Sequence, residues 1–334
     1  MHAHARRTAR PVAATAVLLA LFASHGQAQA QEAVGSFQRT LTVTGPADVD
    51  VQSGSGRIEV RSGQTGRIEI NARITAGHWG LFGSRVTAQE RVRRIEASPP
   101  IEQSGNRVRI GRIDDEELRN HVSISYTLVV PAETTLVSKT GSGSHLIEGL
   151  HGAITASAGS GSIRIRDAGG DVRASTGSGS IHADTVAGSF VASSGSGTID
   201  GVNVKGSINV RSGSGTIEVS QAGGGPVDAS SSSGSINLTG LRCGLRASTS
   251  SGALRVQGEQ TSEWRLSSSS GSVTIELAGR PAFALDAHSS SGRIDTQYPV
   301  TVAGTIGRRE LRGSVNGGGP LLHVRTSSGG IRIR

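Results

Sequence analysis

The 334-residue chain carries 48 glycines, only 3% aromatic residues and one cysteine, Cys243. That composition excludes a fold held by intrachain disulfides, and it lacks the rings that fill an ordinary globular core. The formal charge of +8 favours loose attraction to acidic polymers but does not bear on the fold.

The N-terminus reads MHAHARRTARPVAATAVLLALFASHGQAQAQEAV. Arg6, Arg7 and Arg10 precede an apolar run from Val12 to Phe22, and Ala28-Gln29-Ala30 follows. This order predicts a secretory signal peptide over residues 1–30, with the mature chain starting near Gln31. The apolar run is too short to cross a bilayer as a helix, and no later stretch is long enough. No cysteine adjoins the cleavage site, so a lipoprotein is not expected. An exported protein is expected, periplasmic or at the cell surface or secreted, whose net charge falls to +5 without the three leader arginines.

Residues 31–140 read as the start of a repeat stack. The segment LTVTGPADVDVQSGSGRIEV alternates apolar and polar residues and carries a Gly-Ser-Gly phrase from Gly54 to Ile58, which places the first coil near Phe37. The alternation breaks between about residues 74 and 105. Within the break, Thr87 and Glu90 have capping-box spacing, Ala88, Val92 and Ile95 share one helical face, and Pro99-Pro100 stops the run. A short helix packed on the stack as a cap or lid is predicted, with His78 and Trp79 near its start. The chain resumes as GNRVRIG and HVSISYTLVVPAETTLVSKTGSGS, a long alternating strand turned at Pro131.

Residues 141–334 repeat. Gly143, Gly161, Gly179, Gly197, Gly215, Gly234, Gly252, Gly271 and Gly292 stand at steps of 18, 18, 18, 18, 19, 18, 19 and 21 residues. Two residues past each mark come His145, Ile163, Ile181, Ile199, Ile217, Ile236, Leu254, Val273 and Ile294. A second apolar pair falls late in the unit, as in Val172 and Ala174 or Ile208 and Val210. The pattern predicts an all-β fold, a parallel β-solenoid of about 18 residues per coil with a short helical insertion near its N-terminal end. Each coil is a strand, a glycine corner, a second strand and a Ser-Gly corner. Glycine suits a tight bend, and stacked hydroxyls at the corner can bond neighbouring backbone groups. The outward residues Arg164, His182, Asp200, Glu218, Asn237 and Arg255 show no ladder of charge. The phrase returns a last time at Gly329–Ile331.

The signal peptide, the early SGSGRIEV, the insertion ending EASPPIEQSGNRVRIG, the strand YTLVVPAET, the GSGSI coils and the closing GGGPLLHVRTSSGGIRIR together resemble one family. It is the exported bacterial β-strand-repeat proteins of unknown function, labelled the "putative adhesin" family. The resemblance spans essentially the whole mature chain. It implies a β-solenoid with no assigned reaction, and it supplies no catalytic residues.

Specific chemistry is scarce. Calcium-binding β-rolls need GGxGxD turns, whereas the corners here are GSGS. The mature histidines offer no HExxH, and His145 is placed inward as a packed residue. No serine has glycine both two before and two after it, and no Gly-rich loop is followed by Lys-Ser/Thr, Lys139 and Lys205 being the only lysines. Catalytic, cofactor-binding and metal-ligating residues are therefore expected to be absent. Cys243 reads as a small buried hydrophobe. Asp200 and Glu218 are expected on adjacent rungs, and they keep open an alternative: a polysaccharide lyase or hydrolase on a β-helical scaffold. The favoured expectation is a non-enzymatic structural or binding module of the envelope. Its partner would be an anionic envelope polymer or another envelope protein. Export and the lack of an aromatic platform argue against nucleic acid. Arg173, Arg246 and Arg265 have matching or neighbouring offsets in their coils, so stacking is expected to gather them into a stripe for anionic polymers.

Overall fold

The computed structural model describes residues 33–77, 87–302, 307 and 309–334. The expected signal peptide, His78 and Trp79 lie outside the described residues.

Two long sheets of 14 and 15 strands face each other, and each repeat contributes one strand to either sheet. Ile181–Val186 lies in the first sheet and Phe190–Ser194, after a short corner, in the second. Repeat stacks on repeat in parallel register. Ile163, Ile181, Ile199, Ile217 and Ile236 form a continuous row of partners, each at most 1% exposed. Val172, Phe190, Ile208, Val227 and Leu245 form the facing row on the second sheet and are likewise buried. Alternate residues thus fill a narrow aliphatic column and the others face out. Trp264 is fully buried in the column between Leu245 and Leu322, and its Nε1 donates to Cys243 O at 2.8 Å.

The Ser-Gly corner is joined by buried hydroxyls that the phrase itself does not contain. They belong to the residue three before the marked glycine in every coil but that of Gly161, where Ala158 stands. Thr249 Oγ1 accepts from Gly252 N at 3.2 Å and donates to Gly234 O of the preceding corner at 3.1 Å. Thr176 and Ser194 do the same, and Ser212 and Ser231 make the same bond to their own corner's glycine. The expectation of stitching by corner hydroxyls holds, but the exposed serine inside each phrase takes no part in it. These bonds satisfy backbone groups at a bend that water cannot reach. The marked glycines stack so closely that a side chain at Gly197 would overlap the carbonyl of Gly179.

Both ends depart from simple stacking. At the N-terminal end Ala33–Thr42, Arg67–Ala76 and Val122–Pro131 pair antiparallel, so the segment around Phe37 is part of a cap and the first parallel coil is Asp48–Gly63. Alternation alone does not distinguish the two pairings, because both have a period of two. Helix α1, Ala88–Ala97, lies on this cap. It is capped by Thr87 Oγ1, which accepts from Glu90 N at 3.2 Å, and it buries Ala88, Val92 and Ile95. Glu96 of the helix accepts from Ser36 N at 2.8 Å, and Gly35 leaves room for the Val92 side chain. A shorter helix, α2, spans Glu116–His121.

At the other end the last phrase in sequence is not the last rung in space. Leu321–Thr326 enters between Trp264–Ser268 and Phe283–Ser289, and Ile331–Ile333 between Val273–Leu277 and Ile294–Thr296. The 21-residue step from Gly271 to Gly292 therefore spans a slot filled by Gly329. The inserted strand is the more deeply buried of the two. Ile331 and Ile333 bring two fully buried aliphatics to the first sheet, whereas the displaced strand brings Ile294 and Thr296, both only half-buried.

Candidate functional site: the outward arginine row of the second sheet

Register fixes which outward side chains are neighbours. On the second sheet one row runs Thr155, Arg173, Val191, Asn209, Asp228, Arg246, Arg265, His323, Asp286 and Arg312. All three arginines singled out from the sequence lie in it. Arg246 and Arg265 are directly paired, while Arg173 stands four rungs away, about 19 Å at the usual strand spacing. The row thus brings two of the three together and leaves the third apart, with Val191, Asn209 and Asp228 between.

Around the pair the sheet is concave. Asn209, Asp228, Arg246 and Arg265 line a groove of about 380 Å³, whose rim includes Pro226, Gly244 and Glu263. Arg265 Nε donates to Glu263 Oε1 at 2.8 Å, a half-exposed pair of little intrinsic stability. Arg246 and Asp228 form no ion pair or side-chain hydrogen bond among the described residues, and Asn209 Oδ1 is shielded from solvent without a hydrogen-bond donor. Farther along, Asp286 accepts from Arg312 Nε at 3.2 Å and meets His323 Nδ1 at 3.2 Å. Arg246 and Asp228 are therefore neighbouring opposite charges without a bonded partner, and Arg173 is a separate cation.

The first sheet presents a different face. Asp200 and Glu218 occupy paired positions on adjacent rungs, and Asp200 Oδ2 lies 2.7 Å from His182 Nδ1. The next outward row does form a short ladder of alternating charge, which the residues compared in the sequence did not show. Glu148 bridges Arg61 at 3.4 Å and Arg166 at 2.9 Å. Its residues sit two positions further along each strand, outside the row inspected for charge.

Several sequence candidates are structural. His145 is 2% exposed, its Nδ1 2.8 Å from Ser138 Oγ and its Nε2 3.0 Å from Ser157 O. The carbonyl can only accept, so Nε2 carries the proton and Nδ1 accepts from the serine. Burial lowers its pKa and keeps the ring neutral. His151 lies exposed at 3.1 Å from Glu133. Cys243 is buried, its thiol pushed up by burial, and it donates to Gln221 Oε1 at 3.2 Å. Among the described residues no group of three or more His, Cys, Asp and Glu side chains is placed to hold a metal ion. Among the described residues no helix is long and apolar enough to cross a membrane.

A second groove escaped the sequence reading. About 610 Å³ lies between the end of α1 and the segments reaching α2, lined by Arg94, Pro99, Pro100, Ile101, Arg109 and Leu118. The signal available was the Pro99-Pro100 break, which turns the chain sharply beside the helix.

These sheets and corners define a repeat protein of the β-solenoid class. Residues 128–334 match the Toastrack DUF4097 family, and the chain belongs to it. Solved structures similar to this chain include a "putative adhesin" from Bacteroides fragilis NCTC 9343, 13% identical with a TM-score of 0.32, over 90% of this chain and 97% of that one. Another is a "putative cell adhesion protein" from Clostridium sporogenes ATCC 15579, 9% identical with a TM-score of 0.20, over 90% and 99%. No curated protein matches the sequence.

Proposed function

We propose that this chain is an exported, non-enzymatic β-solenoid that binds anionic polymers of the bacterial envelope along the arginine row of its second sheet. In this reading residues 1–30 are the export signal, 31–140 the capped start of the stack and 141–334 its repeat body. The observation that carries it is the common register of Arg173, Arg246 and Arg265, with Arg246 in no ion pair and standing between Asp228 and Arg265 in the row. A flexible polymer can engage Arg173 and the Arg246–Arg265 pair at once, so two weak contacts reinforce each other.

A glycan-processing enzyme on the same scaffold is the competing reading. Its carboxylates would be Asp200 and Glu218, whose strands are about 4.8 Å apart, whereas retaining pairs need about 5–5.5 Å and inverting pairs more. Asp200 is moreover engaged by His182. This arrangement favours a solvated charged face over an acid and base flanking a bond.

The test is binding to purified anionic lipopolysaccharide at increasing salt, with the parent and an Arg173/Arg246/Arg265→Ser triple variant. Affinity should fall steeply as the Debye length shrinks from about 10 Å to about 3 Å, and the variant should lose binding while melting as the parent does. Salt-insensitive binding, equal in the two proteins, would overturn the proposal and turn attention to the groove beside α1.

A further inference from the structure

We infer that the groove around Arg246 is a seat for a single acidic sugar unit of the uronate type. This rests on the preceding reading and names the chemistry of the polymer. The argument comes from the order of groups along the row. Arg246 and Arg265 emerge one rung apart, and like charges placed opposite each other on a sheet repel. Glu263 holds Arg265, whereas Arg246 forms no ion pair and has Asp228 as its neighbour on the other side. A carboxylate seated between the two guanidinium groups accepts from both and removes the repulsion.

On the other side of Arg246 the row turns from donors to acceptors. Asp228 is its register partner, and Asn209 follows. Asp228 has no ion-pair partner among the described residues, and Asn209 Oδ1 lacks a donor. A bare polyanion such as polyphosphate has nothing to donate to these oxygens and is repelled by Asp228. A uronate presents a carboxylate at one side of its ring and hydroxyl donors at the other, matching the order of arginine and then acceptor. The groove of about 380 Å³ falls within the range of small-ligand sites, roughly 300–1,000 Å³. Arg173 lacks this setting, because its register partners are Thr155 and Val191. It serves as a plain cation for a neighbouring unit of the same polymer.

The experiment is calorimetric titration of the full chain with oligogalacturonate and with polyphosphate of matched charge, at one low salt concentration. Arg246→Ser should weaken both polymers. Asp228→Ala should weaken oligogalacturonate about tenfold, as expected for one lost charge-assisted hydrogen bond, while strengthening polyphosphate. Asp228→Asn, which keeps an acceptor oxygen, should recover part of the saccharide affinity. Both positions are on the surface, and unchanged melting of each variant keeps the comparison valid. Equal strengthening of both polymers by Asp228→Ala would overturn the seat and leave the arginine row standing. Undiminished binding of both polymers by Arg246→Ser would overturn the row itself.

Discussion

Replacing Gly197 by alanine tests the tight corner on which the stack depends. The new methyl group would overlap the carbonyl of Gly179 and lie 2.8 Å from Ser180 N, closer than real Cβ contacts. Neither neighbour is a side chain that can swing aside; both are backbone of the preceding rung. Relief requires the rungs to part locally by about 1 Å, and hydrogen bonds weaken rapidly beyond their usual range of about 2.7–3.2 Å. The bonds at risk are Ile181 N to Thr198 O at 2.9 Å, Gly195 N to Thr176 O at 3.2 Å and Ser194 Oγ to Gly179 O at 3.0 Å. At about 1 kcal/mol each, their loss amounts to about 3 kcal/mol. For a chain of this size that lowers the melting temperature by about 5 °C. The matched control is Ser196→Ala one residue earlier, where the side chain is exposed and stays within about 0.5 kcal/mol of the parent. Thermal melts by circular dichroism read both variants. Equal melting of Gly197→Ala and Ser196→Ala would refute the claim that rung spacing is set by glycine contact at the corner.

Ile199→Asp should collapse the stack, since it places a carboxylate in an aliphatic column at a cost of several kcal/mol, whereas the neighbouring Asp200→Ala loses only a partly exposed bond to His182. Comparable melts of those two variants would mean that the strand faces are inverted. His145 supplies a pH dependence. Its folded pKa lies below the ordinary 6.5, so below that pH the unfolded chain takes up a proton that the folded chain refuses. Its share of stability is present above about pH 6.5 and declines as pH falls toward the folded pKa. A His145→Ile, Ser138→Ala double variant should flatten the acid limb of a denaturation series, and an unchanged limb would deny His145 that role.

The repeat body was legible in the sequence because each corner glycine sets the phase of two strands. Once Gly161 and Gly179 are aligned, the inward positions of Ile163 and Ile181 follow, and outward neighbours such as Asp200 and Glu218 can be paired by counting. The same counting placed Arg173, Arg246 and Arg265 in one row. It did not reveal the groove, which depends on the sheet's shape near Pro226 and Gly244. The ends were less legible. Residues 321–334 carry the same phrase as every other coil, and nothing local records that they insert between two earlier rungs. The antiparallel cap was hidden for a related reason, as Arg67–Ala76 alternates like any parallel strand. The bonding hydroxyls lie outside the phrase, whose own serine is exposed; the buried residue just before it is serine or threonine in most coils, as at Ser194 and Thr249, and alanine at Ala158.

The arginine row can be tested most directly by footprinting. Surface arginines of the parent protein are modified with an arginine-selective dicarbonyl reagent, with and without oligogalacturonate, and the sites quantified by mass spectrometry. The account predicts protection of Arg246 and Arg265, with Arg173 added for longer oligomers, while Arg166 on the first sheet and Arg94 and Arg112 beside α1 react as before. Protection centred on Arg94 and Arg112, or spread evenly over all exposed arginines, would contradict it.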